Sequence, residues 1–212
     1  MIDQNKVLTR GNCFKLLAAC FYEPNRDLFV EEQVCNNLKE LLNGWASGAA
    51  KAASDMNLGL ISSDQAQLSI DHASLFVGPF ELIAAPYGSV HLEKNRQVMG
   101  DSTIGVLRSY QEAGLSVEAK EPPDHIAIEL EFMYYLCTKE AEAISDAQWE
   151  EVAKYRDLQR NFFQTYLQWI PHFCDAIRQG TDNQFYTSLA DCLSRFMVTC
   201  EQFYAKQAEN AA

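Results

Sequence analysis

The dipeptide Asp124-His125, with Glu121 before it and Glu129 after it, combines residue types that could do chemistry. An adjacent carboxylate and imidazole could act as a general acid/base pair. His125 and Glu129 are four residues apart, so on a helix they would share a face and could present two ligands to a metal ion. One such pair is a weak metal signature, because zinc sites use three or four protein ligands.

The wider search for catalytic signatures gives no support for an enzyme. The sequence contains no glycine-rich phosphate loop with its lysine, no G-x-S-x-G nucleophile elbow and no H-E-x-x-H zinc motif. We therefore predict a binding protein without a cofactor or metal. An enzyme that uses Asp124-His125 as an acid/base pair remains an alternative.

The run Glu121-Pro122-Pro123-Asp124-His125 also has a structural interpretation. Two prolines cannot continue a preceding helix, and Asp124 then stands where an N-cap belongs. His125 would occupy the first helical position. A cap explains Asp124 but neither Glu121 nor His125, so a structural or regulatory helical module remains a second alternative.

Charge and cysteine content narrow the class of protein. The 17 basic and 29 acidic residues give a net charge of −12, which argues against nucleic acid or an anionic membrane as partner. The seven cysteines are odd in number and form no C-x-x-C pair, so we expect reduced, buried side chains in a reducing compartment. No export signal and no apolar run of about 20 residues is present, and we expect a cytoplasmic protein.

Helical periodicity predicts an all-α fold. The clearest apolar stripe comprises Phe185, Leu189, Cys192, Phe196, Cys200 and Phe203. Two segments do not fit helices: residues 78–100, a long loop of the kind that is often functional, and the polar connector 114–123. We predict an N-terminal helical region over residues 1–113, a hinge over 114–123 and a C-terminal helical region over 124–212, which together form one helical domain.

Two blocks of sequence resemble the TorD/DmsD family, the dedicated chaperones of molybdenum-containing oxidoreductases. The first block resembles the family's E-P-x-D-H…E-L…M signature and comprises Glu121 to Ile126, Glu129, Leu130 and Met133. The second resembles L-F-x-G-P…P-[WY]-G-S-V-[WY]-L…G-D-S and comprises Leu75 to Pro79, Pro86 to Val90, and Gly100 to Ser102. The resemblance extends over about residues 10–205.

The resemblance implies an all-helical fold, either monomeric or domain-swapped through the hinge. It also implies a function: binding the twin-arginine signal peptide and apoprotein of an exported molybdoenzyme, so that export waits for cofactor insertion. Asp124, His125 and Glu121 would line the peptide site at the hinge. Residues of the other block would form a second wall: Tyr87, Ser89 and Val90, close to Phe76 and Gly100.

The chemistry of a twin-arginine peptide agrees with this prediction. Its arginines could pair with the carboxylates of Glu121, Asp124 and Glu129. Its apolar stretch could lie in a groove lined by side chains such as Phe76, Tyr87 and Val90. The sequence departs from the family pattern at Tyr87, where tryptophan is frequent, and at His91, where an aromatic residue is frequent, and both changes make this wall more polar.

Overall fold

A computed structural model of the protein describes residues 3–78, 82–94, 96–116 and 121–209. Within these ranges the regular elements are all helices, which confirms the all-α prediction. They are α1 Gln4–Ala19, α2 Arg26–Glu31, α3 Val34–Leu42, α4 Ser47–Ser62, α5 Gln65–His72, a π-helix Ala73–Val77, α6 Gly88–Leu92, α7 Asp101–Glu112, α8 Ile126–Ser145, α9 Trp149–Tyr166, α10 Ile170–Gly180 and α11 Gln184–Glu209. None of the described helices is long and apolar enough to cross a membrane.

The helices group into two compact units, and each draws on two stretches of the chain. Unit 1 comprises Met1–Ala19 and Pro86–Trp169, and unit 2 comprises Cys20–Ala85 and Ile170–Ala212. These boundaries differ from the predicted division at 114–123. That hinge stays a prediction, and residues 117–120 within it lie outside the described ranges.

Unit 1 is built around α8, which packs against α1 on one side and α9 on another. Aromatic rings fill the space between α7, α8 and α9: the Phe132 ring centroid lies 4.5 Å from that of Tyr110 and 4.7 Å from that of Phe162. Such close, inclined ring pairs add to the free energy gained by burying their area.

A buried polar network ties α1, α8 and α9 together inside unit 1. The Glu140 carboxylate accepts hydrogen bonds from Arg10 at 3.1 Å, Gln159 at 2.9 Å and Arg156 at 2.6 Å. Arg10 also donates to the side-chain oxygen of Gln159 at 2.8 Å. The free-energy cost of burying the Arg10 and Glu140 charges is offset because the two groups form an ion pair.

Unit 2 is centred on α4, α10 and α11. Gly59 on α4 lies so close to the start of α11 that an added Cβ would stand 2.4 Å from the backbone nitrogen of Phe185. An aromatic cluster fills another region of this core, where the Phe76 ring contacts the rings of Phe21, Phe173, Tyr186 and His72. Its centroid lies 6.0, 5.8, 5.9 and 5.2 Å from theirs, in that order.

The segment predicted as a long loop differs in the structure. The segment 78–100 is not all loop, because it contains α6; residues 79–81 and 95 of it are outside the described ranges.

The cysteines agree with their prediction. All seven side chains are buried, and none of them forms a disulfide. Burial raises the pKa of the Cys13 and Cys35 thiols to about 12, so both stay protonated at neutral pH and behave as small apolar side chains.

Candidate functional site

The start of α8 differs from its prediction in which residue caps it. The N-cap is His125, whose Nδ1 accepts a hydrogen bond from the Ala127 backbone N–H at 3.2 Å. The Asp124 carboxylate instead accepts the backbone N–H of Ser89, in the first turn of α6, at 2.7 Å. The prediction that Asp124 caps its own helix is wrong, because the helix begins one residue too late for the Asp124 side chain to cap it.

Backbone contacts join the segment around Tyr87 to the segment around Asp124. The Gly88 N–H donates to the Asp124 carbonyl and the Ile126 N–H donates to the Pro86 carbonyl, both at 2.8 Å. Tyr87 and His125 form an isolated antiparallel bridge between these two hydrogen bonds, and their rings meet edge to face at 5.5 Å. The Pro86–Val90 part of the second sequence block and the start of the first block therefore form one local structure inside unit 1.

Tyr87 also contacts the exposed beginning of the Glu121–His125 run. Its hydroxyl donates to the Glu121 carboxylate at 3.1 Å. Burial, followed by the nearby Glu121 carboxylate, raises the pKa of the Tyr87 phenol to about 12. The phenol thus stays protonated at neutral pH and remains a hydrogen-bond donor.

Glu129 lies in the first turn of α8 and is fully buried. One carboxylate oxygen accepts the indole N–H of Trp169 at 3.1 Å, and the Trp169 ring stacks on His91 at a centroid distance of 4.8 Å. Gly88 makes room for this arrangement, since a Cβ there would stand 3.0 Å from the Trp169 nitrogen and 3.3 Å from Glu129 Oε1. Burial, and then the charge of Asp124, raises the pKa of Glu129 well above its ordinary value.

The stretch after α6 is fixed by two polar side chains. The Ser89 hydroxyl accepts the Met99 N–H at 3.2 Å. The Glu93 carboxylate accepts both the N–H and the hydroxyl of Ser102 at 2.8 Å, in the first turn of α7. Gly100 is the N-cap of α7, and a Cβ on it would collide with Glu93 at 2.7 Å. Gly100 therefore lies close to the site, and its lack of a side chain is explained by packing against Glu93.

The nine predicted site residues differ in where they lie and how accessible they are. Eight belong to unit 1: Glu121, Asp124, His125, Glu129, Tyr87, Ser89, Val90 and Gly100. Phe76 belongs to unit 2, where it is a core residue of the aromatic cluster. Asp124, Ser89 and Glu129 have 0% exposure, whereas Glu121 is exposed.

Sequence reasoning missed Trp169 and Glu93 as members of this region. Trp169 follows the end of α9, 40 residues after its partner Glu129, and no motif marks it. Among the described residues no three or more His, Cys, Asp or Glu side chains are grouped so that they could hold a metal ion. The arrangement offers carboxylates, a phenol and an imidazole, and carboxylates form strong hydrogen bonds with cationic groups such as a guanidinium.

Comparison with known proteins places the chain in a family. A family model described as the nitrate reductase delta subunit matches residues 34–175, more than half of the chain. The chain belongs to the nitrate reductase delta subunit family. Its curated relatives confirm the resemblance to TorD and DmsD inferred from the two motif blocks.

Two relatives show how far the similarity to this family's named members extends. The chaperone protein TorD of Vibrio parahaemolyticus is 27% identical over 135 residues, covering 62% of this chain and 61% of the relative. The probable Tat proofreading chaperone DmsD of Haemophilus influenzae is 24% identical over 180 residues, covering 83% of this chain and 82% of the relative. The chain thus spans less than two thirds of the TorD relative and most of the DmsD relative.

A solved structure supports the fold of this family member. A protein from Archaeoglobus fulgidus, assigned as a redox enzyme maturation protein, superposes with a TM-score of 0.54 at 22% identity. The match covers 86% of this chain and 91% of that one. At this identity the likeness supports the all-α fold and nothing finer.

Proposed function

We propose that the protein is a chaperone that binds the twin-arginine signal peptide and the apo form of a molybdenum-cofactor oxidoreductase. It assists cofactor insertion and delays export until the partner is mature. The observation that supports the proposal is the joining of Tyr87–Ser89 to Asp124–His125 by hydrogen bonds, because it puts a part of each family motif block in contact. Relatives named TorD chaperone and Tat proofreading chaperone support the same function.

The exposed rim of the site suits the cationic portion of such a peptide. Glu121 is exposed, and its carboxylate already accepts a hydrogen bond from Tyr87. A guanidinium could pair with this carboxylate through two parallel hydrogen bonds. Asp124 and Glu129 are buried in the described conformation, so a peptide arginine would reach them only after α6 moves.

The apolar portion of the peptide has candidate contacts nearby in unit 1. Leu92, Val98 and Met99 follow the site along the chain and are 39%, 45% and 66% exposed. Exposed apolar side chains beside a polar site are typical of peptide-binding surfaces. A signal peptide is disordered when free, so some of the interaction free energy would be spent on ordering it and the affinity would be moderate.

Two further properties belong to the proposal. The chaperone would act in the cytoplasm, where the partner's cofactor is inserted before export. It would act as a monomer or as a domain-swapped homodimer through the predicted hinge at 114–123. Size-exclusion chromatography with light scattering would distinguish the two states.

Calorimetric titration with a synthetic twin-arginine peptide tests this function. We expect the wild-type protein to bind it, and to bind the same peptide with both arginines replaced by lysine at least about tenfold more weakly, because lysine cannot pair bidentately. His125→Asn should weaken binding while preserving the fold, since asparagine can still cap α8. The matched control is His172→Ala, because His172 is an exposed histidine on α10 in unit 2. This variant should bind the peptide normally.

The same variants, in titrations and in an activity assay, distinguish the chaperone from the two alternatives. Equal affinity of the arginine and lysine peptides would contradict guanidinium recognition. Normal binding by His125→Asn would favour a helical module in which this residue only caps. A catalytic activity that survives purification and disappears in His125→Asn would support the acid/base alternative instead.

A further inference from the structure

Asp124 and Glu129 are two fully buried carboxyl groups that lie against the same turn of backbone. Asp124 Oδ2 accepts the N–H of Ser89, and Glu129 Oε1 lies 3.3 Å from the position of a Cβ on the neighbouring Gly88. Asp124 Oδ1 and Glu129 Oε1 are both buried and have no hydrogen-bond partner among the described residues. Two such groups side by side cannot both be charged at low cost.

The two carboxyls are not equally able to carry the charge. Asp124 Oδ2 has a short hydrogen bond of 2.7 Å from a backbone N–H. Glu129 has one neutral donor, the Trp169 indole, at 3.1 Å. A charge on the pair is therefore more stable on Asp124, which leaves Glu129 as the group that holds a proton. Burial, followed by the charge of Asp124, raises the pKa of Glu129 well above its ordinary value, which favours its protonated form.

Among the described residues, the two histidines of this region make contacts of their own. His91 stands behind Trp169 and stacks on it, while His125 uses Nδ1 to cap α8. Three cations of α1 and α9, the helices packed against α8, also have other partners: Arg10 and Arg156 pair with Glu140, and Lys15 lies over the Tyr134 ring.

We propose that Glu129 holds one proton next to the buried Asp124 carboxyl while α6 covers both groups, and that an arginine of the bound peptide replaces this proton. This inference rests on the proposed function, because the incoming cation is the signal-peptide guanidinium. The O–H bond of Glu129 breaks, the proton passes to solvent, and the guanidinium pairs with the two carboxylates. The pair plus its cation then carries the same net charge of −1 as the pair plus its proton.

The replacement requires α6 to move. Gly88 and Ser89 donate their backbone N–H groups to the Asp124 carbonyl and carboxylate, and this turn lies directly against both acids. A guanidinium has five N–H donors in a planar arrangement, so it can take over the carboxylate oxygen that Ser89 occupies as well as the two that have no partner. Peptide binding is then coupled to proton release and to displacement of α6.

Unfolding experiments on the free protein, without any peptide, test whether Glu129 is protonated in the folded state. Glu129→Gln preserves the shape and the Trp169 hydrogen bond but cannot ionise. The stability that neutral Glu129 contributes is full below its unfolded pKa of about 4.3 and is lost as pH rises through its raised folded pKa. The unfolding equilibrium constant of the wild type, divided by that of Glu129→Gln, should therefore rise up to about tenfold per pH unit in this range.

Glu131→Gln is the matched control, because Glu131 is an exposed glutamate on the same helix. The unfolding equilibrium constant of the wild type, divided by that of Glu131→Gln, should stay constant over the same pH range. A constant ratio for Glu129→Gln as well would overturn the inference. Infrared spectroscopy of the wild type alone gives a second test if Glu129→Gln does not fold: the C=O band of a protonated carboxylic acid should persist at neutral pH, and its absence would overturn the inference.

Calorimetry in buffers of different ionisation enthalpy tests the exchange. Binding of the twin-arginine peptide should release roughly one proton from the wild type and from Glu131→Gln, and none from Glu129→Gln. Wild-type binding without proton release would overturn the exchange and leave the proposed function standing. If the wild type binds no such peptide at any pH, both the proposed function and the exchange fail. The unfolding and infrared results still show whether Glu129 holds a proton in the free protein.

Discussion

At the scale of single residues, the site depends on side chains whose partners lie far away in sequence. Asp124 was recognisable as a residue with a role, because two prolines precede it. Its partner was not recognisable, since a local pattern can propose only the nearest helix and Asp124 binds Ser89, 35 residues earlier. The same holds for Glu129, whose partner Trp169 carries no motif.

The role of Asp124 in holding α6 makes a prediction for stability. Asp124→Ala removes the acceptor of the buried Ser89 N–H, and we expect the free energy of unfolding to fall by about 1–3 kcal/mol. Asp124→Asn keeps an acceptor oxygen and should lose less. Chemical denaturation measures both, with Asp146→Ala as a control at an exposed aspartate that should change stability by less than about 0.5 kcal/mol.

A fall of similar size in Asp124→Ala and Asp146→Ala would contradict this role. Asp124→Asn also separates the two functions of the residue, because it removes the charge and retains the hydrogen bond. We expect it to weaken peptide binding more than its small loss of stability explains. Comparison of the two Asp124 variants in the same titration checks this expectation.

At the scale of elements, apolar periodicity predicted the long helices well. The stripe ending at Phe203 is α11, and the helix predicted to start at His125 is α8, which starts one residue later, at Ile126. The short helix α6 was not predictable, because five residues are too few to show a period and its first turn is held by Asp124 from another segment.

The close approach of α4 and α11 in unit 2 makes a second prediction. A Cβ on Gly59 would meet backbone atoms of Gln184 and Phe185 at 2.4–2.8 Å, and backbone cannot move aside without separating the helices. We expect Gly59→Ala to lower the free energy of unfolding by about 1–3 kcal/mol or more. Thermal and chemical denaturation measure the change.

Gly48 on the same helix provides the control for Gly59. A Cβ at Gly48 would meet only the end of the Arg195 side chain at 3.3 Å, which can move. Gly48→Ala should be neutral or stabilising by up to about 1 kcal/mol, because alanine favours helix over glycine. Equal effects of the two substitutions would show that the close approach at Gly59 does not limit packing.

The buried network of unit 1 makes a third prediction at this scale. Glu140→Ala leaves the Arg10 charge buried without its carboxylate partner, so we expect a loss of about 3–5 kcal/mol in the free energy of unfolding. Replacing both residues, as Arg10→Met with Glu140→Leu, should recover some of this loss because this buried pair then holds no charge. Single substitutions whose losses simply add in the double variant would argue against this coupling.

At the scale of the whole molecule, composition and periodicity were enough for the all-α class, and two motif blocks were enough for the family. The make-up of the two units was not predictable. Each unit combines stretches from distant regions of the chain, and helix periodicity specifies which face of a helix is buried but not which helix covers it. The predicted division at the polar connector therefore followed composition rather than packing.

The central claim is that the Tyr87 and Asp124 segments of unit 1 together form the peptide site. Nuclear magnetic resonance of the isotopically labelled protein tests it most directly, through amide shifts recorded while unlabelled twin-arginine peptide is added. We predict the largest changes at Gly88, Ser89 and Ala127, whose amides bond to the Asp124 and His125 groups of the site. Changes confined to unit 2, with these three amides unmoved at saturation, would contradict the claim.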